Sequence, residues 1–214
     1  MRDLGCELGF LNYVTVPPVG RSGGLALFWN QSVNLSVDFL SPNLVDCYVQ
    51  CNGFSFYLSF VYGHPETRLR NDLWERLERY GTTRREPWFI LGDFNEILGN
   101  HEKVGGRVRP EVSFHDFRRM VRTCAFTDLK SIGDRFSWAG QRGDHYVSCC
   151  LDRTMANSEW HLQFPSSETH FLELGESDHR PLVTFIEDTT EERKGMFMYD
   201  SRLHNKEGFQ EAVL

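Results

Sequence analysis

Two stretches in the first third of the chain alternate between apolar and polar residues, which is the pattern of half-buried β-strands. Residues 44–50 and 54–62 both show this alternation, and Cys51-Asn52-Gly53 between them is a turn signal. They therefore predict a β-hairpin. Residues 24–29 and 33–39 predict a second strand pair, so the first part of the chain is expected to form an antiparallel meander.

Leucines at helical spacing predict a first helix over residues 67–80, with Thr67 as its N-cap and Gly81 as its end. Arginines, Arg70 among them, occupy its other faces; they mildly favour a polyanionic substrate, but a solvated helix face explains them equally well. A second helix is predicted over about residues 111–124, where aromatic and apolar residues recur at helical spacing.

Further apolar runs predict strands at residues 88–91, 135–139, 146–151 and 181–186. From about residue 188 the chain turns polar, so we expect a domain over residues 1–187 and a linker over residues 188–214. Antiparallel strands followed by helices that alternate with strands predict an α+β or α/β layered sandwich.

Composition and charge narrow the class of protein. The chain is 40% hydrophobic and 14% aromatic, enough for a sizeable core, and no apolar run reaches the roughly 20 residues of a membrane span. We expect no secretory signal, because the first residues are charged. The net charge of −7 excludes wholesale phosphate neutralisation, but not an enzyme whose acidic residues hold a cation. Six cysteines are too few for a disulfide framework and predict a reduced, intracellular protein.

Candidate chemistry lies at the exits of the apolar strands, where functional sites collect. Asp93 and Asn95 follow the run at 88–91 and, in extended geometry, project to the same side. A carboxylate beside an amide can orient and deprotonate a water while the amide holds a partner oxygen. A turn cap is the structural alternative.

The other candidates are expected at the same kind of position. His179 could stabilise a phosphate or transfer a proton, and Asp178 could bind a cation; a solvated loop is the alternative. Asp152 could orient an imidazole, or simply pair with Arg153. Tyr62 ends the predicted hairpin, and taken alone it is a core or rim residue. Together the strand exits form a constellation that is more specific than any one of them.

Longer motifs surround these residues: Gly20–Trp29, Val61–Glu66, Pro87–Leu98, Glu102–Arg107, Phe136–Trp138, Leu151–Asn157 and Ser177–Leu182. Through them, over about residues 10–187, the chain resembles the endonuclease/exonuclease/phosphatase superfamily, the relatives of DNase I and the apurinic endonucleases. Within that superfamily it is most similar to the endonuclease domain of plant LINE-type (non-LTR) retrotransposons.

The resemblance implies a DNase I-like four-layer α/β/β/α sandwich and Mg²⁺-dependent (or Mn²⁺-dependent) cleavage of phosphodiester bonds in DNA. By that similarity, Asp93 would activate or position the attacking water and Asn95 would hold the phosphate. His179, braced by Asp152, would stabilise the charge that builds on the phosphorane, and Tyr62 would contact the phosphate or the leaving oxygen. Such chemistry needs a cation and fixed donors.

The resemblance also assigns the metal and its surroundings. Asp178 would ligate the metal, and Ser137 matches a Thr or Ser near the site. The family begins with a strand bearing a Trp-Asn motif, a helix, and a strand that ends in a metal-ligating Glu; residues 1–10 match the segment just after that Glu. We therefore expect the first strands and first helix to be missing, weak metal affinity, and little or no turnover by the chain alone.

Two other functions stay open from the sequence. One is a phosphatase of the same superfamily that acts on small phosphoesters or phosphoinositides; the other is a non-catalytic module that binds nucleic acid or protein. Lys103, Arg107 and Arg109 mildly favour a polyanionic substrate and are candidate nucleic-acid contacts. Similarity implies a nuclear location, and the tail from Lys194 resembles the segment that leads into a reverse transcriptase.

Overall fold

The computed structural model describes residues 5, 7–18 and 23–186. The predicted linker at 188–214 and the first residues of the Gly20–Trp29 motif lie outside them. The strands are β1 (Asn12–Val16), β2 (Leu25–Trp29), β3 (Asn34–Ser41), β4 (Leu44–Cys51), β5 (Phe54–Tyr62), β6 (Trp88–Asp93), β7 (Lys103–Val104), β8 (Thr127–Asp128), β9 (Lys130–Ile132), β10 (Trp138–Arg142), β11 (His145–Cys149), β12 (Asp152–Ala156), β13 (Glu168–Phe171) and β14 (Leu182–Phe185). The α-helices are α1 (Asn71–Thr83), α2 (His115–Thr123) and α3 (Ser158–Gln163), and 3-10 turns occupy Thr67–Leu69, Asn100–Glu102 and Glu111–Phe114. No helix in these ranges is long and apolar enough to cross a bilayer.

The centre of the fold is a six-stranded mixed sheet in the order β3-β4-β5-β6-β12-β8. β4 and β5 form the predicted hairpin, and its turn residues Asn52 and Gly53 have φ values of 52° and 82°, as a two-residue hairpin turn requires. β5 and β6 are parallel, so the chain must cross over between them, and α1 makes that crossover. The other neighbours in this sheet are antiparallel.

The predicted pairing of residues 24–29 with 33–39 is wrong, although both are strands. β2 pairs with β1, and β3 pairs with β4. β2 instead lies over the large sheet, where Leu25 and Leu27 line an apolar cavity with Val45 and Phe60. Alternation along a strand shows which side chains are buried, but it does not select the partner strand.

The first helix begins and ends later than predicted. Thr67 lies in a 3-10 turn rather than at an N-cap, and Leu69 is 47% exposed. Helix α1 continues through Gly81 to Thr83, because this glycine serves packing rather than termination. A Cβ on Gly81 would lie 2.8 Å from the Cα of Cys124, so the missing side chain lets the end of α1 touch the residue that follows α2.

Helices α1 and α2 cover one face of the large sheet, and the sheet of β1 and β2 and the sheet of β9, β13 and β14 lie on the other. The first face is sealed by an apolar cluster that includes Trp74 of α1, Phe117 of α2 and Ile90 of β6. On the other face, Thr154 of β12 is hydrogen-bonded to Thr169 of β13 at 2.8 Å, which joins the large sheet to the sheet of β9, β13 and β14. The predicted α+β sandwich is confirmed.

The strand predicted at residues 146–151 is present as β11 and ends at Cys149, and a further strand that the sequence did not predict, β12, begins at Asp152. β12 runs from Asp152 to Ala156 and is buried along its whole length, although its sequence starts with two charged residues. Arg153 is neutralised in the interior by a close ion pair with the buried Glu102. The local sequence pattern did not predict this strand, because the partners of its two charged residues are far away in the sequence.

Candidate active site

Three neighbouring strands bring three predicted residues to one edge of the large sheet. In the register of the sheet, Asp93 of β6 stands opposite Tyr62 of β5 on one side and Asp152 of β12 on the other. Residues at the same register of adjacent strands project to the same face. Because β12 is antiparallel to β6, Asp152 reaches this edge from the beginning of its strand, not from an exit as predicted.

Asp93 and Asn95 are held together by a tight local network. The backbone N–H of Asn95 donates to Asp93 Oδ1 at 2.7 Å, and its side-chain Nδ2 donates to Asp93 Oδ2 at 2.8 Å. Asn95 has a φ of 49°, a left-handed conformation that asparagine tolerates better than most residues. Asp93 therefore caps this turn, and the same bonds fix the direction of its carboxylate and of the neighbouring amide.

The loop after β5 closes directly onto this turn. The N–H of Gly63 donates to the Asp93 carbonyl at 2.6 Å, and the Gly63 carbonyl accepts from Asn95 Nδ2 at 2.8 Å. A Cβ on Gly63 would lie 1.9 Å from the carbonyl oxygen of Phe94, so no larger residue fits here. Glycine at this position lets the two strand-end loops touch.

His179 is oriented by Asp152. Its Nδ1 donates to Asp152 Oδ2 at 2.8 Å, which leaves Nε2 as the nitrogen available to a substrate. The hydroxyl of Ser137 accepts the backbone N–H groups of Leu151 and Asp152 at 3.1 and 2.8 Å, and the Ser137 carbonyl accepts from the N–H of Arg180 at 2.7 Å. Fully buried Ser137 thus ties the His179 segment to the start of β12.

Asp93, Asp152 and His179 form one half-buried cluster, with a ligand atom of each within 4.8 Å of the others. Burial, with the negative charge of Asp152, raises the pKa of Asp93 to about 6. The hydrogen bond that His179 donates to Asp152, and the negative charge of Asp152, raise the pKa of His179 above its usual value, although burial opposes them. The cluster therefore holds a carboxylate whose pKa is raised to about 6 beside an imidazole whose pKa is also raised.

Asp178 stands beside the cluster and is exposed. Its Oδ2 accepts a hydrogen bond from the indole Nε1 of Trp138 at 2.8 Å, which fixes the carboxylate and leaves Oδ1 for another ligand. Mg²⁺ keeps several waters and binds through one or two carboxylates, so this arrangement fits it. Asp152 Oδ2 and His179 Nδ1 fit it less well, because they already bind each other. The sequence patterns gave Trp138 no role beyond the Phe136–Trp138 motif; its position next to Ser137 was the available signal.

The three predicted nucleic-acid contacts have different surroundings. The guanidinium of Arg109 is 2.6 Å from Oε1 of the buried Glu96 and stacks over Phe114, so its charge is already paired. Lys103 and Arg107 lie at a surface cavity of about 460 Å³, and the Lys103 ammonium donates to the Arg107 carbonyl. The same cavity is lined by Arg142 and His145 at the tip of the β10–β11 hairpin, and by Asp144.

The sequence profile of the Endonuclease/Exonuclease/phosphatase family matches residues 2–179, which is most of the chain. No curated protein sequence matches the chain. All the site residues discussed above lie within the matched range.

Solved structures share the fold at low sequence identity. The endonuclease domain of TRAS1, a telomere-specific non-LTR retrotransposon, is 14% identical, with a TM-score of 0.59 over 81% of this chain and 80% of that one. The 3′ phosphatase NExo from Neisseria, solved with a product DNA hairpin, is 16% identical, with a TM-score of 0.55 over 86% and 82%. Truncated Caenorhabditis elegans TDP2 is 12% identical, with a TM-score of 0.53 over 84% and 76%.

Proposed function

Because this chain belongs to the endonuclease/exonuclease/phosphatase family, we propose that it is a metal-dependent phosphodiesterase that nicks DNA. The observation that carries this proposal is the cluster of Asp93, Asp152 and His179, in which a base and an oriented imidazole face the same space. Phosphodiester hydrolysis needs both a group that takes a proton from water and fixed charge at the phosphate.

In the proposed reaction Asp93 accepts the proton of the attacking water. With a pKa of about 6 it is ionised at neutral pH, yet basic enough to take a proton. The bonds from Asn95 fix its carboxylate, so the carboxylate does not need to reorganise during the reaction. Asn95 and Tyr62 stand beside Asp93 at the same sheet edge and are the groups that we assign to the phosphate.

His179 supplies positive charge to the pentacovalent phosphorus. Its hydrogen bond to Asp152 raises its pKa, which favours the imidazolium, and directs Nε2 away from Asp152. Charge that is fixed before the reaction stabilises the transition state without a cost of reorganisation.

Members of this family typically depend on a divalent metal ion. Asp178 is the residue that we assign to Mg²⁺, and a bound ion would supply Lewis-acid stabilisation of the phosphoryl oxygens. Within residues 23–186, Asp178 is the only carboxylate that we assign to the ion. One carboxylate holds Mg²⁺ weakly, so we expect low affinity and slow turnover by this chain.

DNA is the proposed substrate on two grounds. TRAS1 is a retrotransposon endonuclease, and NExo was solved with a DNA hairpin. The cavity lined by Lys103, Arg107 and Arg142 also gives an acidic protein a local basic surface that a phosphate backbone can contact. A protein that nicks chromosomal DNA would work in the nucleus.

The test is conversion of supercoiled plasmid to open circles by the whole chain with Mg²⁺ or Mn²⁺. We expect slow nicking, reduced about 10²–10³-fold by Asp93→Asn and by His179→Gln. Lys130→Gln on β9, an exposed residue paired with Glu168, is the control and should nick like the parent. Phosphate release from inositol phosphates without nicking would favour the small-phosphoester alternative. DNA binding without nicking, unchanged in Asp93→Asn, would favour the binding module; either result overturns the proposal.

A further inference from the structure

A buried ion cluster adjoins the candidate site, because its central residue, Glu96, directly follows Asn95. Glu96, 2% exposed, accepts from Arg70 Nη1 through Oε2 at 2.7 Å and from Arg109 Nη1 through Oε1 at 2.6 Å. Its Oε1 also accepts the N–H of Ile97. Arg70, for which the sequence left open either a solvated helix face or a contact with a polyanion, is only 5% exposed. An arginine that is taken out of water in this way must have its charge and its donors satisfied by the fold.

All three guanidinium nitrogens of Arg70 donate hydrogen bonds, and two of them donate to the loop after β5. Besides the bond to Glu96, its Nε donates to the His64 carbonyl at 2.6 Å and its Nη2 donates to the Pro65 carbonyl at 2.8 Å. These three acceptors surround one planar fork. Lysine carries the same charge but cannot reach all three acceptors at once.

The two segments that Arg70 joins are those that carry the proposed chemistry. Glu96 directly follows Asn95, and His64 directly follows Gly63, whose carbonyl accepts from Asn95 Nδ2. A continuous path of bonds therefore runs from Arg70 through the Gly63–Pro65 loop to the Asn95 amide, and from there to Asp93.

We infer that Arg70 is a positioning residue, which holds the Gly63 carbonyl in place and thereby fixes the Asn95 amide against Asp93. Its importance for catalysis rests on the proposed function, whereas its hold on the amide does not. Consistent with this placement, the charge of Arg70 is close enough to lower the pKa of Asp93, against the stronger effect of burial.

The test compares two conservative variants at two buried ion pairs. Arg70→Lys removes the fork at the site. Arg84→Lys is the matched control, because Arg84 forms an equally buried ion pair with Asp46 between the end of α1 and β4. The readout is hydrogen exchange of the two Asn95 side-chain amide protons, measured by NMR under strongly native conditions in the whole chain.

One Asn95 amide proton is hydrogen-bonded to the Gly63 carbonyl. We expect Arg70→Lys to speed the exchange of this proton roughly tenfold or more, while Arg84→Lys leaves it at the parental rate. Equal exchange in both variants would overturn the inference. If Arg70→Lys does not fold, Glu96→Gln, which keeps the shape but weakens the hold on both arginines, takes its place with the same expected result.

A second readout separates this inference from the proposed function. If the parent nicks plasmid, Arg70→Lys should lower kcat by up to about 10²-fold with little change in KM, because a small displacement of a reacting group has that effect. If no protein nicks but exchange at Asn95 rises in Arg70→Lys, the proposed function fails and the positioning role stands. If the parent nicks plasmid but exchange at Asn95 is unchanged in Arg70→Lys, the positioning role alone is refuted.

Discussion

At the scale of single residues, the proposed chemistry needs an ionised Asp93 carboxylate, whereas burial of that charge lowers the stability of the fold. The fold raises its pKa from 3.8 to about 6, chiefly by burial and by the neighbouring charge of Asp152. The folded protein therefore binds this proton more tightly than the unfolded chain does. The stability that follows is fully present below pH 3.8 and is lost as the pH rises through about 6, beyond which it no longer changes.

Asp93→Asn should therefore gain stability relative to the parent as the pH rises. Asparagine cannot ionise, so between about pH 4 and about pH 8 the difference in the free energy of unfolding should shift in favour of the variant by about 1–3 kcal/mol. Urea unfolding at both pH values measures this shift. The exposed Asp38→Asn on β3 is the control and should show little change. A difference that is the same at both pH values would contradict the burial of an ionised Asp93.

The sequence could predict which candidate residues contact each other only where the partners lie close together along the chain. Asp93 and Asn95 bind each other two positions apart, within one turn. The indole of Trp138 and Asp178 are 40 positions apart, and no local pattern links them. Likewise, nothing in the local sequence shows that Arg109 forms an ion pair with Glu96, which is 13 positions away.

At the scale of elements, local sequence patterns predicted the positions of strands and helices better than they predicted which strands pair with each other. The β4–β5 hairpin was predictable because its turn residues require a positive φ that Asn and Gly adopt. The partner of β2 was not predictable, because it depends on where the whole strand packs over the large sheet. Gly81 was misread in the same way, since its small size is needed by a contact from another helix.

Gly81→Ala should therefore destabilise the protein, although alanine is the better helix former. The added Cβ would lie 2.8 Å from the Cα of Cys124 and 3.1 Å from the Thr123 carbonyl oxygen, and backbone atoms cannot move aside cheaply. Overpacking of this kind costs about 1–3 kcal/mol, more than the roughly 1 kcal/mol that helix propensity returns. Urea unfolding measures the difference. Thr82→Ala, at an exposed neighbour, is the control, and its free energy of unfolding should stay within about 0.5 kcal/mol of the parent's. If Gly81→Ala stabilised the protein instead, α1 and the end of α2 would not be in contact.

At the scale of the whole molecule, an acidic chain must meet a polyanion through a small part of its surface. The net charge is −7, and the acidic excess lies after residue 122. The basic residues Lys103, Arg107 and Arg142 line one cavity. Arg109 and Arg70, by contrast, form ion pairs with Glu96. Long-range attraction to DNA is therefore weak, and any binding depends on local contacts that release few counterions.

DNA affinity should consequently depend only modestly on salt. Three phosphate contacts predict a slope of about −3 in a plot of log K against log salt, and Arg107→Gln should reduce its magnitude by about 1. Fluorescence anisotropy of a labelled duplex across a KCl series gives the slope. Arg122→Gln, at an exposed residue of α2 that lines a different cavity, removes the same charge and is the control. If Arg122→Gln changes the slope as much as Arg107→Gln does, DNA responds to the overall charge of the protein rather than to the cavity between β7 and the β10–β11 hairpin.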